Sequence, residues 1–160
     1  MSASRRGSDA NRAANEARLI RGNLVYAWGA LRALVPWKPA RFEVVLDGRE
    51  LGFEGYTVAV ANSPYYGGGM KVAPAADPAD GMLDVIFVKQ TSKLRFLRNL
   101  PKVFAGTHVE LDEIEVHRAR EVVMRADRPF DVYADGDPIT TLPTTVRLIP
   151  GALRVIAPAG

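Results

Sequence analysis

The sequence predicts a mainly β, two-layer β sandwich-like domain with an N-terminal amphipathic helix and one further helix. Short runs of alternating apolar residues recur along the chain, turn residues separate nearly all of them, and the strand-helix alternation of a doubly wound sheet is missing. At 160 residues the chain is one domain by length, and its 48% hydrophobic and 24% charged residues are the balance of a globular protein.

Residues 1–14 are rich in Ser, Arg, Asn and Ala without hydrophobic periodicity, and are expected to form a disordered leader. The domain then covers residues 15–160. Leu24, Trp28, Leu31 and Val35 recur at spacings of four, three and four, which sets them on one face of a helix that Pro36 and Pro39 end. Phe42, Val44 and Leu46 alternate up to the hairpin turn Asp47-Gly48, and Tyr56 to Asn62 is the return strand. A strand is expected at Leu83 to Lys89. Ser92 then caps a second helix whose apolar set is Leu94, Leu97, Leu100 and Phe104, with a kink at Pro101. Further strands are expected at Glu113 to His117, Glu121 to Arg125, Phe130 to Ala134, Thr145 to Ile149 and Leu153 to Ala157. The alternation nominates Phe42, Val44, Val58, Val60, Val85, Phe87, Ile114, Val116, Val146, Leu148 and Val155 for the core.

Several function classes are disfavoured. Without cysteine there is no disulfide, zinc-thiolate site or thiol nucleophile, which fits a cytoplasmic setting. A net charge of +3, with basic residues interspersed among acidic ones, does not write a nucleic-acid footprint. Arg5, Arg6, Arg12, Arg18 and Arg21 form a local basic excess at the N-terminus, either a solvated tail or a contact for an anionic bilayer. No apolar run approaches bilayer length, so any contact with the inner membrane face is peripheral.

Three segments carry residue types that simple packing does not need. After Asn62 come Gly67, Gly68 and Gly69, which suit either a wide turn or close main-chain approach of a ligand. Asp77, Asp80 and Asp84 cluster around Met82; they read as turn formers or as hard oxygen ligands for Mg²⁺ or Ca²⁺. Asp135 and Asp137 bracket Gly136, a hairpin signal that also suits a general base.

In this order, Asn62, Tyr66-Gly67-Gly68-Gly69, Ala73-Pro74, Asp80-Gly81-Met82-Leu83-Asp84 and Asp135-Gly136-Asp137-Pro138 resemble the C-terminal domain of bacterial diacylglycerol kinases and their sphingosine-kinase relatives. The resemblance runs from about Gly22 to the end. It implies transfer of the γ-phosphoryl of ATP to a lipid hydroxyl, in a cleft shared with an N-terminal nucleotide-binding domain. It makes Asp77, Asp80 and the Met82 carbonyl ligands of a structural Mg²⁺, with Asp84 left to structure. Asn62 and Gly67–Gly69 are implied to face the acceptor lipid or the other domain. The general base is implied at Asp137, where the family usually has Glu, with Asp135 as second candidate. The family's Gly-Gly-Asp-Gly-Thr phosphate signature does not occur in this sequence, so the chain alone is expected to have little kinase activity. A non-catalytic interaction module and the β domain of a nicotinamide-dinucleotide kinase are the competing readings.

Overall fold

The computed structural model describes residues 38–153. The expected leader, the N-terminal helix, Val155 and nearly all of the last expected strand lie outside them. Within them are β1 (Ala40–Leu46), β2 (Arg49–Ala61), β3 (Leu83–Lys89), β4 (Ile114–Ala119), β5 (Glu121–Ala126), β6 (Asp131–Ala134), β7 (Asp137–Thr141) and β8 (Thr144–Arg147). Helices α1 (Lys93–Asn99) and α2 (Lys102–Ala105) and the 3₁₀ turn Thr107–Glu110 lie between β3 and β4. Six strands form an antiparallel sheet in the order β4-β3-β2-β1-β5-β8, and β6 and β7 form a separate ribbon.

β2 serves two partners in turn. Its first half, Arg49 to Gly55, pairs with β1, and its second half, Gly55 to Ala61, pairs with β3. The register slips between Gly55 and Thr57, where the strand bends as it changes partner. The faces turned inward supply Phe42 and Val44 from β1, Val85 and Phe87 from β3, and Val122 and Met124 from β5. Phe53, the cross-strand partner of Phe42, links β1 to β3, its ring 5.3 Å from Phe42 and 4.5 Å from Phe87 and stacked on both. Asp47 ties the β1–β2 turn to the β4–β5 corner. Its carboxylate accepts the N–H groups of Arg120, at 3.0 Å, and Glu121, at 2.8 Å, and its own N–H donates to the Glu121 carbonyl.

Several expectations need correction. β2 is longer than the alternating run from Tyr56, because polar Arg49 and Glu50 are carried into the ladder by the Asp47-Gly48 turn. β7 lies outside the expected strands. The ribbon accommodates Pro138 at a register slip between Val132 and Tyr133. Pro101 divides the second helix into two short ones. Leu94 is not part of the apolar face: it is 78% exposed. Val116 is exposed as well, because β4 turns Glu115 and His117 to the other face, where the His117 ring lies 4.7 Å from Phe87. Phe42, Val44, Val85 and Phe87 are buried, while Val58, Val60, Val146 and Leu148 pack at the margin of the same core and Ile114 beside Ile86.

A methyl group at Gly55 would lie 2.3 Å from the Val88 carbonyl oxygen and 2.6 Å from the Phe53 ring. Gly55→Ala is therefore expected to destabilise the domain by about 1–3 kcal/mol, read as a lower urea midpoint. An unchanged midpoint would show that β2 tolerates a side chain where it changes partner.

Candidate functional site

The glycine segment leaves the end of β2 and returns on itself. Tyr66 and Met70 pair through N–H to carbonyl bonds of 2.8 and 3.1 Å, and Gly67, Gly68 and Gly69 make the tip at φ of +24°, +53° and +85°. Three successive positive φ angles explain why glycine fills all three positions. Asn62 and the three glycines are exposed, so their main chain is open to a ligand. After the tip, Ala73 and Ala76 tuck against Ile86 on the outer face of β3. The segment is then held from the helical side. Lys71 N–H donates to the Val103 carbonyl at 3.0 Å, and buried His108 donates from Nε2 to the Val72 carbonyl at 3.1 Å. Burial lowers the His108 pKa, and its hydrogen bond to Val72 only partly opposes this. Nδ1 has no partner.

Asp77 and Asp80 occupy one tight turn, joined by the Asp80 N–H to the Asp77 carbonyl at 3.3 Å. Asp77 Oδ1 accepts the Ala79 N–H at 2.8 Å, and Asp80 Oδ1 accepts the Met82 N–H at 2.9 Å. Asp80 Oδ2 is ion-paired with Arg118 of β4. Asp84 is buried beneath this turn, and its Oδ2 has no partner. Burial pushes its carboxyl above the usual range; Arg118 opposes the rise and Asp80 adds to it. Among the described residues, no group of three or more His, Cys, Asp or Glu side chains is gathered around a common point. Asp77 and Asp80 are hard oxygen donors of the kind Mg²⁺ takes, while the Arg118 guanidinium already pairs with Asp80 Oδ2, so an ion held there would have to share or displace that partner.

Asp135 and Asp137 sit at the β6–β7 turn. Asp135, at φ +50°, and Gly136, at φ +100°, form the left-handed pair of a tight hairpin, and Ala134 pairs with Asp137. Both carboxylates are exposed and have no hydrogen-bond or ion-pair partner among the described residues. No hydrogen bond or ion pair among the described residues links this turn to the Asp77–Asp80 turn, whose Asp80 is held by Arg118 of β4. A groove of about 350 Å³ on the outer face of β1, β2 and β5, lined by Glu43, Val45, Glu50, Gly52, Val123 and Arg125, contains none of these residues.

Sequence reasoning did not single out Arg118 or His108. No local pattern links Arg118 to Asp80, 38 positions away, and a histidine two residues after Gly106 reads as part of a turn.

A mainly β domain built on an antiparallel sheet, with a glycine-rich loop and carboxylate-bearing turns, is the class that the fold defines. Residues 4–157 match the family described as the YegS C-terminal NAD kinase beta sandwich-like domain, and the chain belongs to that family. It is 38% identical over 149 residues to the diacylglycerol kinase of two Mycobacterium tuberculosis strains, covering 92% of this chain and 48% of that protein. The chain thus spans about half the length of these relatives. A crystal structure of a diacylglycerol kinase from Bacillus anthracis str. Sterne superposes with a TM-score of 0.64 at 24% identity, over 79% of this chain and 43% of that one. That likeness bears on the fold. Together the matches make this a C-terminal domain of the lipid-kinase family, as the motif order implied.

His108 sets a pH dependence for the loop it holds. Its folded pKa lies below the ordinary value of about 6.5, so the unfolded chain binds more protons in the window between the two. Its contribution is complete above about pH 6.5 and is lost as pH falls through the folded value. Chemical-denaturation midpoints from pH 7.5 downward are expected to show this fall, and His108→Gln is expected to flatten it. An identical slope in the variant would remove His108 as its source.

Proposed function

We propose that this domain is the acceptor-side half of an ATP-dependent lipid kinase that phosphorylates a diacylglycerol-like hydroxyl. The observation that carries the reading is the extent of the match to a diacylglycerol kinase, 38% identity across 92% of the chain. The exposed, unpartnered carboxylates at the β6–β7 turn support it, since a general base has to reach the hydroxyl it deprotonates. Asp137, with Asp135 as the second candidate, takes the proton of the lipid hydroxyl as that oxygen bonds to the γ-phosphorus and ADP leaves. Asn62 and the Gly67–Gly69 tip approach the acceptor or the partner domain through open main chain.

The phosphate-gripping role falls to a separate nucleotide-binding domain, because phosphoryl transfer depends on positioned donors around the phosphates. The ribbon gives that domain a surface. β7 is exposed along its whole length, with Tyr133 57% and Ile139 61% exposed, and a two-stranded ribbon is marginal alone. Asp77, Asp80 and the Met82 carbonyl would hold Mg²⁺. When bound, that ion supplies fixed positive charge and ordered water at the domain boundary.

Mixing the chain with ATP, Mg²⁺ and diacylglycerol is expected to give little turnover alone, and turnover when the nucleotide-binding domain of a related kinase is added. Asp137→Asn is expected to lower that turnover about a hundredfold or more. An unaffected Asp137→Asn with an inactive Asp135→Asn would move the base to Asp135, and robust turnover by the chain alone would overturn the division of labour.

Adding Mg²⁺ is expected to raise the melting temperature of the chain, and Asp80→Asn is expected to abolish the rise. No shift in the unaltered chain would remove the Mg²⁺ assignment.

A further inference from the structure

Helix α1 is set in a fixed orientation. Buried Glu113 accepts from Arg95 Nε and from Asn99 Nδ2, each at 3.1 Å, and the Phe96 ring lies 6.2 Å from Tyr56. Leu97, Leu100, Val103 and Phe104 are half-buried beneath α1 and α2. These contacts settle which residues face away from the domain. Lys93, Leu94, Arg98, Pro101 and Lys102 are all exposed, and Leu94, at 78%, is a large apolar side chain that a free rotation of the helix would have buried.

The charge on this ridge is of one sign. Between Lys93 and Lys102 lie Arg95 and Arg98 and no acidic residue. The nearby carboxylates are Asp112 and Glu113, which Arg95 occupies, and exposed Glu110. Arg98 and Lys102 have no acidic partner among the described residues. Basic residues flanking an outward leucine fit a surface that is anionic at its face and apolar just beneath it, which is a bilayer carrying anionic lipid. A nucleic acid or an acidic protein face would use the cations and leave Leu94 without a role.

We infer that the ridge formed by Leu94, Arg98, Pro101 and Lys102 docks the domain peripherally on anionic bilayers, with Leu94 entering the headgroup region. The choice of a bilayer as occupant rests on the lipid-kinase reading, whereas docking is measured without ATP or an acceptor lipid. No helix among the described residues is long and apolar enough to cross a membrane, so the contact is interfacial.

The test is sedimentation of the full 160-residue chain with vesicles of phosphatidylcholine, with and without phosphatidylglycerol. Binding is expected only to the anionic vesicles and is expected to weaken as salt is raised. Replacing both Arg98→Gln and Lys102→Gln is expected to weaken it about 25-fold, each cation near the surface contributing about fivefold. Replacing Arg5, Arg6 and Arg12 by Gln is expected to leave most of the binding. If the loss follows the N-terminal arginines instead, or if an oligonucleotide binds while vesicles do not, the proposal is overturned. The chain has no cysteine, so Leu94→Cys carries a single environment-sensitive fluorophore. A blue shift on anionic vesicles is expected, and no shift would exclude insertion at this ridge. Kinase activity lost with docking intact would count against the catalytic reading alone.

Discussion

The close approach at Gly55 is the constraint on which the rest of the structure depends. There β2 changes partner from β1 to β3, with the Val88 carbonyl oxygen and the Phe53 ring in the space a side chain would occupy. Because the two backbones meet there without an intervening side chain, one strand joins β1 and β3 in a continuous sheet. Phe53, two residues before the change of partner, stacks on a phenylalanine of each neighbouring strand. The six-stranded order follows from this change of partner, and the Asp47 clip ties the β1–β2 turn to the β4–β5 corner.

The segments that bear chemistry are attached to this framework in different ways. The loop between β2 and β3 is clasped: Ala73 and Ala76 pack on Ile86, and the helical segment holds it at Lys71 and Val72. The β6–β7 ribbon projects from the far end of β5 with β7 fully exposed. A rigid loop with an open glycine tip suits a fixed contact, while an exposed ribbon carrying two unpartnered carboxylates suits a group completed by another domain. This division accords with a chain that spans about half of its lipid-kinase relatives.

Local physical chemistry made much of the fold legible. The strand from Leu83 to Lys89, the Asp47-Gly48 hairpin and the Ser92 cap were readable because alternation, turn geometry and capping act within a few residues; Ser92 Oγ accepts the Arg95 N–H at 3.2 Å. The glycine run and the two Asp-Gly turns were visible as candidate site segments for the same reason. Leu94 and Val116 depart from their expected burial where a neighbour distant in sequence overrides a local pattern. Glu113 sets the rotation of α1 and so exposes Leu94, and the facing of β4 exposes Val116.

The order of residues by itself determined the class of fold, the position of most strands and the motif succession that places the chain in its family, because each is a matter of period, turn chemistry or identity. Tertiary structure alone decided that β2 changes partner from β1 to β3, that Asp80 meets Arg118, that His108 grips the Val72 carbonyl, and that α1 turns a basic, leucine-tipped ridge outward. The physical reason is distance along the chain. Those contacts join residues tens of positions apart, and no local propensity encodes which remote partner will satisfy a buried polar group or occupy a face of the core.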